Sequence, residues 1–157
     1  VYQGNGGVLI SGQPYVSSGH GNLPTNGMFQ WQKVRRLNEV LDGTSNTLAM
    51  GEFVHRDWSG TEYNNVQGSI RAWILGASED SQKGCYTLKV IQYPINARVE
   101  RQTGGVPFNH LPMGSYHPGG CNFLMTDASV HFLSENIALD VYKALATVDG
   151  REAAQLP

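Results

Sequence analysis

The sequence predicts an α+β protein that is mainly β, with an antiparallel sheet, long Gly/Pro-rich loops and one short C-terminal helix. Short apolar runs of strand length recur along the chain, and 19 glycines and 7 prolines interrupt them. Residues 139–146 combine an apolar face with helix-end signals. Because 157 residues is the size of one ordinary domain, we expect residues 1–157 to form a single domain.

The first thirty residues are rich in glycine, asparagine, serine and proline around one short apolar stretch. This stretch, Val8–Ile10, predicts a strand that leads into a long loop. Apolar residues at helical spacing follow in residues 31–41, but the segment is short and stops at Asp42-Gly43. Helix and strand therefore both stay open there.

Three apolar runs in the middle of the chain have the length and composition of strands. They are residues 47–54, 70–74 and 86–91. Residues 92–120 then contain proline and glycine too densely for regular elements. This stretch is predicted to be a long ordered loop or a set of turns.

The C-terminal part is predicted to contain a hairpin and a helix. Two strand-like runs, residues 121–125 and 129–133, are joined by Thr126-Asp127-Ala128 and predict a β-hairpin. Residues 139–146 place apolar side chains on one side, with a carboxylate near the start and a glycine beyond the end. This pattern suits an amphipathic helix of about two to three turns.

Charge and hydropathy exclude several partners. The 11 basic and 13 acidic residues give a net charge of −2, and the basic residues are scattered apart from the pair Arg35-Arg36. Nucleic acids and anionic membranes attract a concentrated positive field, so neither is an expected partner. Since no apolar run approaches roughly 18–20 residues, and Val1–Gly4 carries no signal peptide, the chain as given is expected to be soluble.

The cysteines and histidines show no familiar metal or catalytic spacing. Cys85 and Cys121 form no Cys-x-x-Cys pair, and a disulfide bond and two buried thiols both stay open. No His-x-His or His-Glu-x-x-His spacing and no Gly-x-Ser-x-Gly elbow occurs, so no catalytic residue and no particular metal is predicted. A metal-dependent hydrolase would need distant histidines to converge: His55, His110, His117 and His131.

Residues 117–133 resemble a signature of prepilin-type bacterial proteins, in which a histidine is followed by nine residues and then Asp-Gly. His117 and Asp127 have this spacing, with Ala128 in the place of the glycine. A type I′ turn needs positive φ at both central residues, which costs alanine about 1 kcal/mol, so either the turn type differs or strain is tolerated. Residues 41–52 and 136–147 resemble two further parts of the same family.

The resemblance points to motif residues whose expected roles are structural. We expect the imidazole of His117 and the carboxylate of Asp127 to bond backbone groups, and residues 42–47 to stabilise a tight turn to which Glu52 reaches back. The oxygens of that turn could hold a structural Ca²⁺ ion, although Ca²⁺ takes six to eight oxygens. The complete set is Asp42, Gly43, Thr44, Ser45, Asn46, Glu52, His117, Gly119, Gly120, Asn122 and Asp127.

The resemblance also implies a function and a location. The chain would be the C-terminal globular region of a pseudopilin-like protein in the periplasm, at the cell surface or secreted. Its role would be that of a non-enzymatic subunit of a type II secretion or type IV pilus-like assembly, with other pilin-like subunits as partners. Such proteins reach the membrane through an N-terminal helix that this chain lacks, and its absence would leave an apolar sheet face exposed.

Two other function classes stay open. The first is an extracellular carbohydrate- or solute-binding module, in which Trp58 and Trp31 would form a platform for a sugar ring. It would show itself as a concave site with Trp or Tyr and a few convergent polar groups. The second is the metal-dependent hydrolase, for which the histidine spacing offers no support.

Overall fold

The computed structural model describes residues 1–54, 76–77, 83, 85–99 and 105–150. Seven strands and one α-helix occupy these ranges, and the predicted class, mainly β with a short C-terminal helix, is confirmed. Their bounds are β1 Tyr2–Asn5, β2 Tyr15–Val16, β3 Leu23–Pro24, β4 Leu48–Glu52, β5 Leu88–Lys89, β6 Gly120–Met125, β7 Val130–Ser134 and α1 Leu139–Ala146.

Five of the strands form one sheet in the order β5-β1-β4-β6-β7, and β2 pairs with β3. The sheet is mixed rather than purely antiparallel, because β1 runs parallel to β5 with Gly4 opposite Leu88. Every other neighbouring pair is antiparallel. A parallel pair needs a long connection between its strands, which no local sequence pattern reveals.

The first strand lies at Tyr2–Asn5 and not at Val8–Ile10, so the prediction for that stretch is wrong. Val8 is buried, but its backbone N–H and carbonyl both bond the side-chain amide of Asn26, each at 2.9 Å. Asn5 occupies a strand because its buried Nδ2 donates to the carbonyls of Leu48 and Ala146, both at 2.8 Å. Tertiary hydrogen bonds thus stabilise a polar segment as a strand inside the sheet, between β5 and β4.

The other predicted elements agree with the structure to different degrees. The β6–β7 hairpin and α1 form where the sequence predicts them, and β4 forms within 47–54. Residues 86–91 provide only the two-residue β5, residues 31–41 contain a short 3₁₀ turn at Leu37–Glu39, and the described part of 92–120 is loop around a second 3₁₀ turn, Phe108–His110. The predicted strand at 70–74 lies outside the described residues.

The main core lies between α1 and one face of the sheet, called the inner face. Successive strand residues point to opposite faces, so Cys121, Phe123 and Met125 of β6 all point inward and are buried. The ring of Phe123 packs edge-on against that of Tyr142 from α1, with centroids 5.6 Å apart. No helix within the described ranges has the length and apolar content needed to cross a membrane.

The opposite, outer face is covered at one end only. Leu88 pairs with Gly4 and points outward, where it forms a second buried cluster with Leu23, Cys85 and Val90. At the other end, Val130 and Phe132 of β7 are 64% and 52% exposed. The outer face of the β4–β6–β7 part of the sheet is therefore open to solvent.

Candidate functional site

The two motif blocks meet between β4 and β6, at the carboxylate of Glu52. Its Oε2 accepts hydrogen bonds from the backbone N–H of Asn122 at 2.6 Å and from the Asn122 side chain at 3.2 Å. The other oxygen lies 3.3 Å from Nε2 of His117, whose side chain is 58% exposed while that of Glu52 is 15% exposed. Glu52 therefore joins the start of β6 to β4, with His117 at its solvent side.

These contacts correct two expectations. Glu52 does not reach back to residues 42–47, because it stands at the opposite end of β4 and bonds Asn122 instead. The imidazole of His117 lies against a carboxylate, within ion-pair distance of Glu52, rather than against a backbone group. The side chain of Ser115 fixes the backbone here, since its Oγ donates to the Gly120 carbonyl at 2.7 Å and accepts from the His117 N–H at 2.9 Å.

The glycines of the motif are needed by the backbone. Gly119 has a φ of +81°, which non-glycine residues adopt only with strain. A Cβ on Gly120 would overlap the carbonyl oxygen of Leu133 on the neighbouring strand. The pair thus permits a sharp entry into β6 and a close strand contact.

Asn96 braces the loops beside this entry. Its backbone has a φ of +58°, its Oδ1 accepts from the Ser115 N–H at 3.0 Å, and its Nδ2 donates to Oε2 of Glu135 at 2.9 Å. The backbone N–H of Glu135 in turn donates to the Gly119 carbonyl at 2.8 Å. One side chain therefore links the long loop to the end of the hairpin.

These loops line a polar cleft that is open to solvent and has a volume of about 500 Å³. Tyr116 projects at its rim and is 64% exposed. The lining residues come from three loops: Ile95, Asn96, Arg98, Ser115, Tyr116, His117, Pro118, Gly119, Glu135 and Asn136. The sequence singled out only His117 and Gly119 among them, because the others lie in a Pro/Gly-rich stretch or beyond a strand, where no periodic pattern marks them.

The Asp42–Asn46 loop lies at the other end of β4 and holds three elements together. Its Gly43 carbonyl accepts from the Asn46 N–H at 3.0 Å, which closes the turn, and the Thr44 carbonyl accepts from the Asp127 N–H of the hairpin at 3.1 Å. Oδ2 of Asp42 accepts from the Gly150 N–H at 2.7 Å, just after α1. Ser45, also in this loop, is exposed.

The Ca²⁺ ion suggested for this loop stays a prediction. One oxygen of Asp42 already accepts a backbone hydrogen bond, which leaves fewer oxygens for an ion. Across the part of the chain that the structure describes, no three His, Cys, Asp or Glu side chains lie close enough together to hold a metal.

The hairpin turn brings Asp127, Ser129 and His131 together. Oδ1 of Asp127 accepts from the Ser129 N–H at 2.9 Å and from its hydroxyl at 2.6 Å, and these bonds lower the pKa of Asp127. The Ser129 Oγ lies 3.1 Å from Nε2 of His131. The serine stands between acid and imidazole, whereas a nucleophilic triad places the histidine between them, so the trio stabilises a turn.

The conformation of the turn shows how Ala128 is accommodated where the signature has glycine. Among the turn residues 126–128, Ala128 alone has a positive φ, at +72°. The Met125 N–H donates to the Ser129 carbonyl at 2.8 Å. This is a three-residue connection whose last residue is left-handed, rather than a type I′ turn. Alanine therefore occupies the position that glycine favours.

The remaining predicted residues are not brought together. Cys85 and Cys121 are free thiols in two different apolar clusters, so no disulfide bond joins them, and burial raises the pKa of both. Trp31 packs partly buried against the second cluster, whereas Trp58 lies outside the described residues, as does His55. His110 bonds a backbone group, the Asn22 carbonyl, at 2.8 Å, and burial lowers the pKa of its imidazole.

Comparison with known families agrees with the resemblance. The family model for "protein of unknown function (DUF1559)" matches residues 2–140. The chain belongs to this family. The family is a pilin-like, prepilin-associated domain, while the His-(nine residues)-Asp-Gly signature stays a resemblance read from the sequence. No curated protein and no solved structure matches the chain.

Proposed function

We propose that this domain is a non-enzymatic interaction subunit of a pseudopilin-like assembly, of the type II secretion or type IV pilus-like kind, outside the cytoplasmic membrane. Membership of a pilin-like family supports the general class. The observation that carries the proposal is the open apolar surface on the outer face of the sheet. Exposed apolar surfaces of this kind mark interaction sites.

This surface has the form of a shallow trough. Met50 of β4 and Leu124 of β6 are partly buried and form its floor, and their backbones pair directly. Val130 and Phe132 rise from β7 at one side. Phe29 stands at the other side, over β1, where a Cβ on Gly4 would come within 2.7 Å of its ring. We call these apolar residues the outer trough.

The outer trough has the width of a helix. The strands β1, β4, β6 and β7 are successive neighbours, so three strand spacings separate its two sides. At about 4.8 Å per spacing, the distance is roughly 14 Å. An α-helix with its side chains is about 10–12 Å across. We therefore propose an apolar helix of a pilin-like subunit as the occupant.

Site-specific crosslinking in cells that naturally produce the protein tests this proposal. A photoreactive phenylalanine analogue replaces Phe132 in the trough, and the matched control places it at Val34, an exposed apolar residue elsewhere on the surface. We expect illumination to join the Phe132 position to a protein with a prepilin-type N-terminal helix, identified by mass spectrometry. The Val34 position should give no such product.

A substitution adds an independent check. Phe132→Asp places a charge in the trough without removing core packing, so the variant should fold but lose the crosslink from a second probe at Val130. Failure of both trough positions to contact any prepilin-type protein would overturn the proposal. Equal crosslinking from Val34 would do the same.

A further inference from the structure

The polar cleft at Tyr116 has the chemistry of a ligand site that is separate from the outer trough. Its lining contains both hydrogen-bond donors and acceptors, with one cationic side chain, Arg98, and one anionic side chain, Glu135. A phosphate site would need several cations or a set of backbone amides, and a cation site several carboxylates. The balance of groups instead suits a neutral ligand that both donates and accepts hydrogen bonds.

The cleft is also held in shape before any ligand binds. Asn96 links the Ser115 backbone to the Glu135 carboxylate, and the Glu135 backbone is bonded to Gly119. These bonds fix three lining segments relative to one another. Because a preformed site loses little conformational entropy on binding, such bracing favours ligand recognition.

Size and surface agree with a small organic ligand. A volume of about 500 Å³ lies within the roughly 300–1,000 Å³ range of small-molecule sites. Tyr116 is 64% exposed at the cleft, and an exposed aromatic side chain is a surface on which the apolar side of a sugar can stack. Hydroxyl groups both donate and accept, which is the pattern that the mixed lining requires.

We propose that this cleft binds a short, neutral saccharide. The ring of Tyr116 stacks on one face of a sugar, while the side chains of Asn136, Arg98 and Glu135 bond its hydroxyl groups. The proposed platform thus lies in the loops beside the His117 motif and does not involve the tryptophans Trp31 and Trp58. This role does not rest on the assembly function, because the residues that line the cleft differ from those of the outer trough.

Ligand-observed NMR with defined probes tests the proposal on the whole chain. The panel contains five neutral saccharides, cellobiose, maltotriose, N,N′-diacetylchitobiose, xylotriose and a methyl galactoside, and glucose 6-phosphate serves as the charged comparison. We expect saturable binding of at least one neutral saccharide, and weaker binding of the phosphorylated sugar. Titration then gives the Kd for each variant.

Three variants separate the cleft from other surfaces. Tyr116→Ala should weaken binding about tenfold and Asn136→Ala about three- to tenfold, whereas Tyr116→Phe keeps the ring and most of the affinity. Tyr15→Ala removes a similarly exposed tyrosine, 55% exposed, from β2 and should change nothing. Thermal melting confirms that each variant is folded.

The proposal is overturned if no saccharide of the panel binds, or if binding survives Tyr116→Ala and Asn136→Ala in folded protein. Loss of binding only on Trp58→Ala would place a sugar site elsewhere and overturn it as well. Preferred binding of glucose 6-phosphate would contradict the neutral ligand class.

Discussion

The two faces of the same strands differ in how completely they are covered. On the inner face of β6, Cys121, Phe123 and Met125 lie fully buried beneath α1 and the loops. On the outer face, apolar residues of β6 and β7 are left partly or largely exposed. Apolar side chains therefore serve two purposes in one sheet, since one set holds the domain together and the other is available to a partner.

The largest expected difference separates two phenylalanines on these faces. Phe123→Ala removes a buried ring that packs on Tyr142, and it should lower the free energy of unfolding by about 3–5 kcal/mol. Phe132→Ala removes a half-exposed ring and should cost about 1 kcal/mol or less. Urea denaturation of both variants measures this contrast. Similar losses of unfolding free energy would show that the assignment of Phe123 to the buried face or of Phe132 to the exposed face is wrong.

A polar residue of the outer face sharpens the comparison. Glu52→Ala leaves the backbone N–H of Asn122 without its acceptor, so we expect a loss of about 1–3 kcal/mol. His117→Ala removes only a largely exposed contact and should cost about 1 kcal/mol or less.

The double variant provides the control for this pair. If His117 acts through Glu52, adding His117→Ala to Glu52→Ala should cause no further loss of unfolding free energy. A larger effect of His117→Ala than of Glu52→Ala would contradict the assignment of Glu52 as the anchor. Both measurements use the same urea titration.

The smallest expected effect lies at the turn that joins the two hairpin strands. Ala128 is left-handed, so Ala128→Gly should relieve strain and raise stability by about 0.5–1 kcal/mol. Ala128→Val at the same position should lower stability, because a β-branched side chain tolerates this backbone less well. Thermal melting of both variants checks the sign, and equal melting temperatures would exclude backbone strain at this turn.

The sequence predicted the elements whose signals are local. The hairpin and α1 carry alternation or end signals within a few residues, so they were placed well. β1 was missed because Gln3 and Asn5 are polar, and only the distant partners Leu48 and Ala146 make Asn5 suitable for the sheet interior. The parallel pairing of β1 with β5 depends on the whole connection and leaves no local trace.

The candidate sites were predicted less completely. The motif identified Glu52, His117 and Asn122, but not that Glu52 contacts both of the others. Tyr116 and Glu135 of the cleft were missed, because their proximity results from how the loops fold around Asn96. Exposure also cannot be deduced from alternation when both faces of a strand are apolar, as at β6 and β7.

The position of β1 between β4 and β5 affects how the domain can fold. Gly4 pairs with Met50 on one side and with Leu88 on the other, so β1 cannot complete its pairing until Leu88 has been synthesised. Folding that depends on such distant pairings is slow, since loop closure precedes the gain from contacts. The pairing of β1 should therefore form only after the chain has been made as far as β5, in a late and cooperative step.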